Sequence, residues 1–236
     1  MLLKIEGLHT HYGLSHIIQG IDLEADSGEI IGIFGRNGVG KTTLLKTIAG
    51  WVAPTQGQIM LDGVRLDGCS SDKICHLGVG IVPEDRRIFP GLTVAENLNI
   101  ALLQVRGRSR RDERHALDRI YARLPRLAER RKQFATTLSG GEQQMLAMAR
   151  VMLGKPKLVL IDEPTEGLAP MIVEDIFKMI RDLRDDGASI LLVEQNVHQA
   201  LMMTDRFCVV ERGRIIVTGD GKSEADRERL FAAIAV

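Results

Sequence analysis

Residues 35–42 read GRNGVGKT, a glycine-rich stretch that ends in one lysine and one threonine. Glycines let backbone N–H groups close around phosphate oxygens, and the N-terminus of a following helix adds a partial positive charge. In the GxxxxGK[ST] pattern, Lys41 reaches the β- and γ-phosphates of a nucleotide and the Thr42 hydroxyl reaches Mg²⁺. Lys41 is thus predicted as a catalytic residue and Thr42 as a metal ligand. Contacts with the nucleotide are predicted for Gly35, Arg36, Asn37, Gly38, Val39, Gly40, Lys41, Thr42 and Thr43.

Residues 157–163 read KLVLIDE and supply two carboxylates for the same phosphate and Mg²⁺ chemistry. The apolar run predicts a buried strand, so Asp162 emerges at the carboxyl end, the edge where α/β sheets bind ligands. We expect Asp162 to hold Mg²⁺ through water. Glu163, one residue further on, is predicted as the catalytic residue that orients or polarises the attacking water. Neither this motif nor the glycine-rich loop separates a kinase from a motor protein.

Residues 138–144 read LSGGEQQ, and a helix is predicted to follow over residues 142–153. The free N–H groups at the helix start and the Ser139 hydroxyl form a second anion site. Two phosphate-binding helix starts in one chain indicate that each serves a different nucleotide. Placed between the two other motifs, LSGGEQQ resembles the signature of ABC-transporter ATPase subunits, and this resemblance covers the whole chain.

The resemblance implies that two subunits face each other head to tail. Each ATP then lies between the Lys41 side of one subunit and the signature of the other, whose contacting residues are Ser139, Gly140 and Gly141. It also implies that Tyr12 stacks on adenine. Glu84 matches the Q-loop, which touches the Mg²⁺ site, and Gln195 lies where most of these ATPases have a switch histidine. Gln195 is therefore predicted as catalytic, and Glu84 as a nucleotide contact and metal ligand.

Three positions depart from the general family pattern: Glu84 replaces Gln, Ala169 replaces Asp, and Gln195 replaces His. One interpretation is a degenerate subunit that does not hydrolyse ATP. The intact loop, carboxylates and signature favour hydrolysis instead. Gln195 can donate an amide N–H to a phosphate oxygen without titrating, whereas a histidine titrates near pH ~6.5.

A subfamily explains these departures better. The strings VPEDRRIF, DEPTEGLAP and VEQNVHQAL resemble the LivF-like ATPase subunit of branched-chain amino-acid importers, which are related to the importers of urea and short amides. A urea or short-amide importer therefore stays open as an alternative, as does a non-import ABC ATPase acting in lipid export or other work. A metabolic P-loop kinase is a further alternative, but it should lack LSGGEQQ.

Alternating strand and helix patterns place these motifs in an α/β fold with a parallel sheet. Apolar strands are predicted at residues 29–35, 157–163 and 189–195, and the first hundred residues add short strands with turns at Gly7 and Gly13. The expected architecture is a P-loop NTPase core with an antiparallel β subdomain and an inserted helical subdomain. We expect one ABC ATPase domain over residues 1–236, with the core at 1–84 and 146–236 and the helical signature subdomain at 85–145.

Charge and composition constrain the partners. Basic and acidic residues balance at 31 each and only 4% of residues are aromatic, which argues against nucleic acid as a partner. No apolar run is long enough to span a bilayer. The resemblance implies a second and non-identical ATPase subunit, two membrane permease subunits contacted near residues 84–98, and an extracytoplasmic solute-binding protein. It also implies a peripheral location on the cytoplasmic face of the membrane, with a homodimer possible for the isolated chain.

Overall fold

The structure is a computed structural model that describes residues 1–105, 107 and 109–235. Its strands are β1 (Leu3–Tyr12), β2 (Ser15–Ala25), β3 (Ile30–Phe34), β4 (Gln56–Leu61), β5 (Val64–Arg65), β6 (Val79–Val82), β7 (Leu158–Asp162), β8 (Ser189–Val193), β9 (Arg206–Glu211) and β10 (Arg214–Asp220). Its α-helices are α1 (Lys41–Ile48), α2 (Ser71–His76), α3 (Val94–Leu103), α4 (Arg110–Arg123), α5 (Pro125–Glu129), α6 (Gly140–Gly154), α7 (Pro170–Asp185), α8 (Val197–Leu201) and α9 (Glu224–Ala235).

A six-stranded sheet in the order β10-β9-β3-β8-β7-β6 forms the centre of the molecule. The pairs from β9 to β6 are all parallel, and β10 closes one edge antiparallel to β9. The carboxyl ends of β3, β7 and β8 therefore meet at one edge, because neighbouring parallel strands end side by side. This confirms the predicted parallel α/β sheet.

Both faces of this sheet are buried, as expected for strands that read as continuous apolar runs. Alternate residues of β3 divide between two cores: Ile30 and Phe34 pack among the helices, whereas Ile31 and Ile33 pack toward α1 and the smaller sheet. The sheet is therefore the middle layer of three. Loops at its carboxyl edge are held from both sides by packed cores.

The smaller sheet has four antiparallel strands in the order β2-β1-β4-β5, which confirms the predicted antiparallel β subdomain. The expected turn at Gly13 joins β1 to β2, but the one at Gly7 is wrong. Gly7 lies inside β1 with φ +52°, where the pairing register shifts between Ile5 and Leu8. Its N–H donates to Asp22 Oδ1 at 2.7 Å, so the glycine forms a bulge within a continuous strand.

Between β6 and β7 the described chain is helical, from α3 to α6. Thr93 caps α3 in a reciprocal box with Glu96, the arrangement that a threonine followed three residues later by a glutamate is expected to form. Pro125 ends the preceding helix and starts α5. Helix α6 begins at Gly140, two residues earlier than expected, because Ser139 is its N-cap. Arg106, Arg108 and Val236 lie outside the described residues.

Within residues 1–105, 107 and 109–235, no helix combines the length and the apolar character that a membrane crossing requires.

Candidate nucleotide-binding site

The glycine-rich loop leaves the end of β3 and enters α1 in a shape that requires glycine. Gly35 has φ +143°, and a Cβ atom there would lie 2.3 Å from the Val210 carbonyl oxygen. Gly40 has φ +113° and is the N-cap of α1. A side chain at Gly35 would clash with the β9 backbone, and one at Gly40 would be strained by the positive φ. The loop and the helix start are therefore fixed by their own sequence and by strand β9 alongside.

Lys41 is the first residue of α1 and its side chain is almost completely buried. Its Nζ donates to the carbonyl oxygens of Gly35 at 2.8 Å and Arg36 at 3.0 Å, and it lies 3.8 Å from Glu163 Oε1. Burial lowers the pKa of Lys41, while the neighbouring carboxylates Glu163 and Asp162 oppose that shift. The ammonium group is thus held inside the loop at the point where the sequence predicts phosphate.

Asp162 ends β7, is 3% exposed and accepts a hydrogen bond from Thr42 Oγ1 at 3.2 Å. Burial raises the pKa of Asp162 to about 6, because a carboxylate loses hydration there. A buried carboxylate and a hydroxyl are oxygen donors of the kind Mg²⁺ prefers, so this pair fits that ion. Among the described residues no group of three or more His, Cys, Asp or Glu forms a metal site. Phosphate oxygens and water would complete the coordination.

Glu163 and Gln195 come from neighbouring strand ends and are hydrogen-bonded to each other. Glu163 follows β7 with a left-handed backbone, φ +45°, which is strained for a residue with a side chain. Gln195 lies two residues beyond the end of β8, and its Nε2 donates to Glu163 Oε2 at 2.5 Å. The amide of the predicted switch residue therefore orients the carboxylate predicted to act on water.

These groups line one cavity of about 330 Å³. Its lining consists of Ile17, Asn37, Gly38, Gly40, Lys41, Thr42, Thr43, Glu84, Glu163, Glu166 and Gln195. Glu84, Glu163 and Glu166 supply more negative charge than Lys41 offsets. Some loss of hydration and the nearby Glu163 carboxylate raise the pKa of Glu166. A polyphosphate entering this cavity therefore needs a cation to balance the carboxylates.

Other predicted contacts lie outside that lining. Gly35, Arg36 and Val39 belong to the loop itself, and Asp162 lies behind Thr42. Tyr12 is 46% exposed, at the end of the β1–β2 hairpin.

The signature residues do not line this cavity. Ser139 is exposed and caps α6: its Oγ accepts from Glu142 N at 3.3 Å, and Glu142 Oε2 accepts from Ser139 N at 2.8 Å. A Cβ atom at Gly141 would lie 2.7 Å from the Ile172 side chain, whereas one at Gly140 would lie 3.1 Å from the flexible end of Arg86.

Four residues of this region were not predicted as site residues. Ile17 and Glu166 line the cavity, and Glu194 and Thr165 form a buried hydrogen-bonded pair behind it. The sequence did carry a signal for Glu194, because a carboxylate directly follows the apolar run ILLV. Residue types alone did not separate its role from that of Gln195 beside it.

Comparison with known proteins agrees with this geometry. The family model described as ABC transporter matches residues 18–166. BraG of Pseudomonas aeruginosa, a high-affinity branched-chain amino acid transport ATP-binding protein, is 42% identical over 93% of both chains. A probable LivF of Archaeoglobus fulgidus is 38% identical over 97% of this chain and 96% of its own. The lipopolysaccharide export ATP-binding protein LptB of Haemophilus influenzae is 33% identical over 97% and 95%.

Solved structures show the same fold. An ATP-binding subunit of an ABC transporter matches with a TM-score of 0.86 and 27% identity, covering 100% of this chain and 95% of its own. CbiO1 from Clostridium perfringens, part of the CbiONQ transporter complex, matches with a TM-score of 0.82 and 27% identity, covering 98% and 94%. The chain belongs to the ABC transporter family as an ATPase that binds and hydrolyses ATP. Such subunits work with membrane permease partners.

Proposed function

We propose that this chain powers a branched-chain amino-acid importer. The main support is similarity to two ATP-binding proteins named for branched-chain amino acid transport. They are 42% and 38% identical to this chain over nearly the full length of both chains. Identity to the lipopolysaccharide export protein is lower, at 33%. Lipid export is therefore the second candidate function. Import of urea or short amides is a further alternative, because the sequence strings quoted above are related to those of such importers.

The site residues divide the work of hydrolysis. The glycine loop and Lys41 bind the β- and γ-phosphates and balance their charge. Thr42 and Asp162, with Glu84 nearby, hold Mg²⁺, which when bound neutralises charge on the phosphate oxygens. Glu163 orients the attacking water, and Gln195 fixes that carboxylate through its amide. Positioning and charge stabilisation supply most of the catalysis in this class of reaction.

The signature segment serves the nucleotide of a second ATPase subunit. Helix α6 presents backbone N–H groups and a Ser139 hydroxyl at its start, a suitable site for anionic phosphate. Because Ser139 does not line the cavity that contains Lys41, this anion site complements the ATP of a partner. The partner is a non-identical ATPase chain, as in the importer subfamily, and ATP joins the two head to tail. Tyr12, on its exposed hairpin, stacks on adenine.

The permease contacts a groove of about 1020 Å³ beside the segment that follows β6. The described residues lining it include six Lys or Arg and one Asp, together with Trp51 and Phe89. The Arg87 guanidinium lies 4.2 Å above the Trp51 ring, and that of Arg150 lies 4.4 Å above Phe89. The buried Nε of Arg150 has no hydrogen-bond partner among the described residues. A basic groove with aromatic walls fits a permease segment that carries carboxylates.

The remaining assignments follow from that assembly. The core extends over residues 1–84 and 146–236 and the helical signature subdomain over 85–145, with α6 continuing across the second boundary. The chain is a peripheral subunit on the cytoplasmic face of the membrane. An extracytoplasmic binding protein delivers the solute to the permeases and determines its identity.

The test is to tag the chain in its native cell, purify it gently from membranes and identify what accompanies it by mass spectrometry. Two permeases and a second ATPase are expected, and cells lacking the chain should lose uptake of labelled leucine. A Lys41→Ala strain is the matched control, because its complex should assemble without transporting. If leucine uptake is unchanged and urea uptake is lost, the transported solute is urea and not a branched-chain amino acid. Recovery of soluble partners alone would refute the transport role.

A further inference from the structure

Glu194, the residue directly after β8, is a buried carboxylate to which the catalytic scheme gives no role. It is 2% exposed. Its Oε1 accepts hydrogen bonds from the Thr165 hydroxyl at 2.8 Å and the Thr165 N–H at 3.2 Å. Its Oε2 accepts from the backbone N–H groups of Gln195 at 3.1 Å and Asn196 at 3.4 Å. Four donors thus converge on one side chain.

The donors come from two separate loops. Thr165 lies two residues after Glu163 in the loop that follows β7, and Gln195 lies in the loop that follows β8. Glu194 therefore joins these loops beneath the cavity. The Gln195–Glu163 hydrogen bond joins the same two loops on the cavity side.

Joining two loops through a buried carboxylate has a cost in folding free energy. Burying an ionised group costs several kcal/mol unless hydrogen bonds compensate, and burial raises the pKa of Glu194. A neutral side chain could not accept all four bonds, because an amide has one oxygen and presents N–H groups on its other side. Accepting from both loops at once therefore requires a carboxylate.

The left-handed backbone of Glu163 also requires that these loops be held in a fixed arrangement. A non-glycine residue at φ +45° persists only when its surroundings enforce the conformation. Glu163 N also donates to Val193 O at 2.9 Å, so the strained residue is anchored to β8 on one side and, through Thr165, to Glu194 on the other.

We propose that Glu194 is a positioning residue for ATP hydrolysis: its four hydrogen bonds fix the loop that carries Glu163 against the loop that carries Gln195. The proposal rests on the roles given above to Glu163 and Gln195, and it is independent of which solute is transported. Displacing a catalytic group by about 1 Å can lower a rate by about 100-fold, so loosening these loops should slow hydrolysis much more than nucleotide binding.

The experiment measures steady-state ATPase of the tagged full chain, purified with the membrane subunits that accompany it. Glu194→Gln should lower kcat by at least about tenfold and leave the KM for ATP within about twofold. Ser189→Ala is the matched control. Ser189 is buried at the opposite end of β8, where it bonds to Gly28 N and Asp26 O, so its loss should lower Tm without changing kcat.

Four further variants separate a positioning role from a purely structural one. Thr165→Val removes the hydroxyl donor and should lower kcat in the same direction, whereas Thr165→Ser keeps that donor and should restore it. Gln195→Ala should lower kcat by a smaller factor in the Glu194→Gln background than it does alone, because both changes loosen the same pair of loops.

Two results would overturn the proposal. One is a Glu194→Gln enzyme with normal kcat and a lowered Tm like that of Ser189→Ala, which would leave only a structural role. The other, decisive even if Glu194→Gln does not fold, is a Thr165→Val enzyme as active as Thr165→Ser. A failed leucine-uptake test would refute the importer assignment without affecting either result.

Discussion

Replacing Asp162 by Asn should stabilise the folded chain while abolishing ATP hydrolysis. The carboxylate is 3% exposed at the end of β7 and receives one side-chain hydrogen bond, from Thr42. An asparagine side chain at this position would keep an oxygen for that hydroxyl without a buried negative charge. Hydrolysis should fall because a neutral amide is a poor ligand for Mg²⁺ compared with a carboxylate.

The magnitude follows from the Asp162 pKa, which is about 6 in the folded chain against an ordinary 3.8. One pKa step corresponds to about 1.36 kcal/mol, so ionising this buried group costs the folded state ~3 kcal/mol. The folded pKa is the higher one, so the cost is absent well below pH 3.8 and grows as the pH rises to about 6. Above that pH it is fully present. The gain from Asp162→Asn should therefore be about 1 kcal/mol near pH 4.5 and about 3 kcal/mol near pH 8.

The assay is urea unfolding of the isolated chain in EDTA and without nucleotide, at about pH 4.5 and about pH 8. Asp175→Asn is the control, because Asp175 is an exposed carboxylate on α7 and its replacement should change the free energy of unfolding little at either pH. A variant at Asp162 that is less stable than the natural chain at pH 8, or whose stability gain does not depend on pH, would refute the reasoning. Saturating Mg-ATP should reverse the order, because the natural chain binds that ligand more tightly.

Three more predictions concern catalysis and assembly. Glu163→Gln should lower turnover by at least about 100-fold and accumulate ATP-bound dimers in size-exclusion chromatography; unchanged turnover would remove Glu163 from the mechanism. Gln195→His should introduce a new pH-dependent change in rate near pH 6 to 7 in the pH–rate profile of the assembled complex. This hypothesis fails if the natural enzyme already shows that change and the variant does not differ from it. Arg150→Glu should lower the yield of co-purifying permease by about tenfold or more, and equal yields from Arg150→Glu and the exposed-site control Arg110→Glu would disprove the groove assignment.

The nucleotide loop could be predicted from sequence because its determinants are local. The glycines that adopt positive φ and the lysine that folds back on them lie within residues 35–41, and Lys41 bonds to the carbonyl of Gly35 only six residues away. The capping box at Thr93 is equally local, joining residues three apart, whereas the box at Ser139 was not predicted and moves the start of α6 to Gly140. The turn expected at Gly7 is wrong because a glycine in a strand pattern fits either a turn or a bulge, and pairing with β2 produces the bulge.

The meeting of the catalytic groups could not be derived from local sequence, since the residues that touch are far apart in the chain. Thr42 and Asp162 are 120 residues apart, and Glu163 and Gln195 are 32 apart. Their contact depends on β3, β8 and β7 lying side by side in the sheet, an order set by the packing of both its faces. Burial, too, exists only in the folded chain, and burial is what raises the Asp162 pKa. The sequence alone therefore determined which chemical groups this ATPase has, whereas tertiary packing decided which of them touch and how strongly each holds its proton.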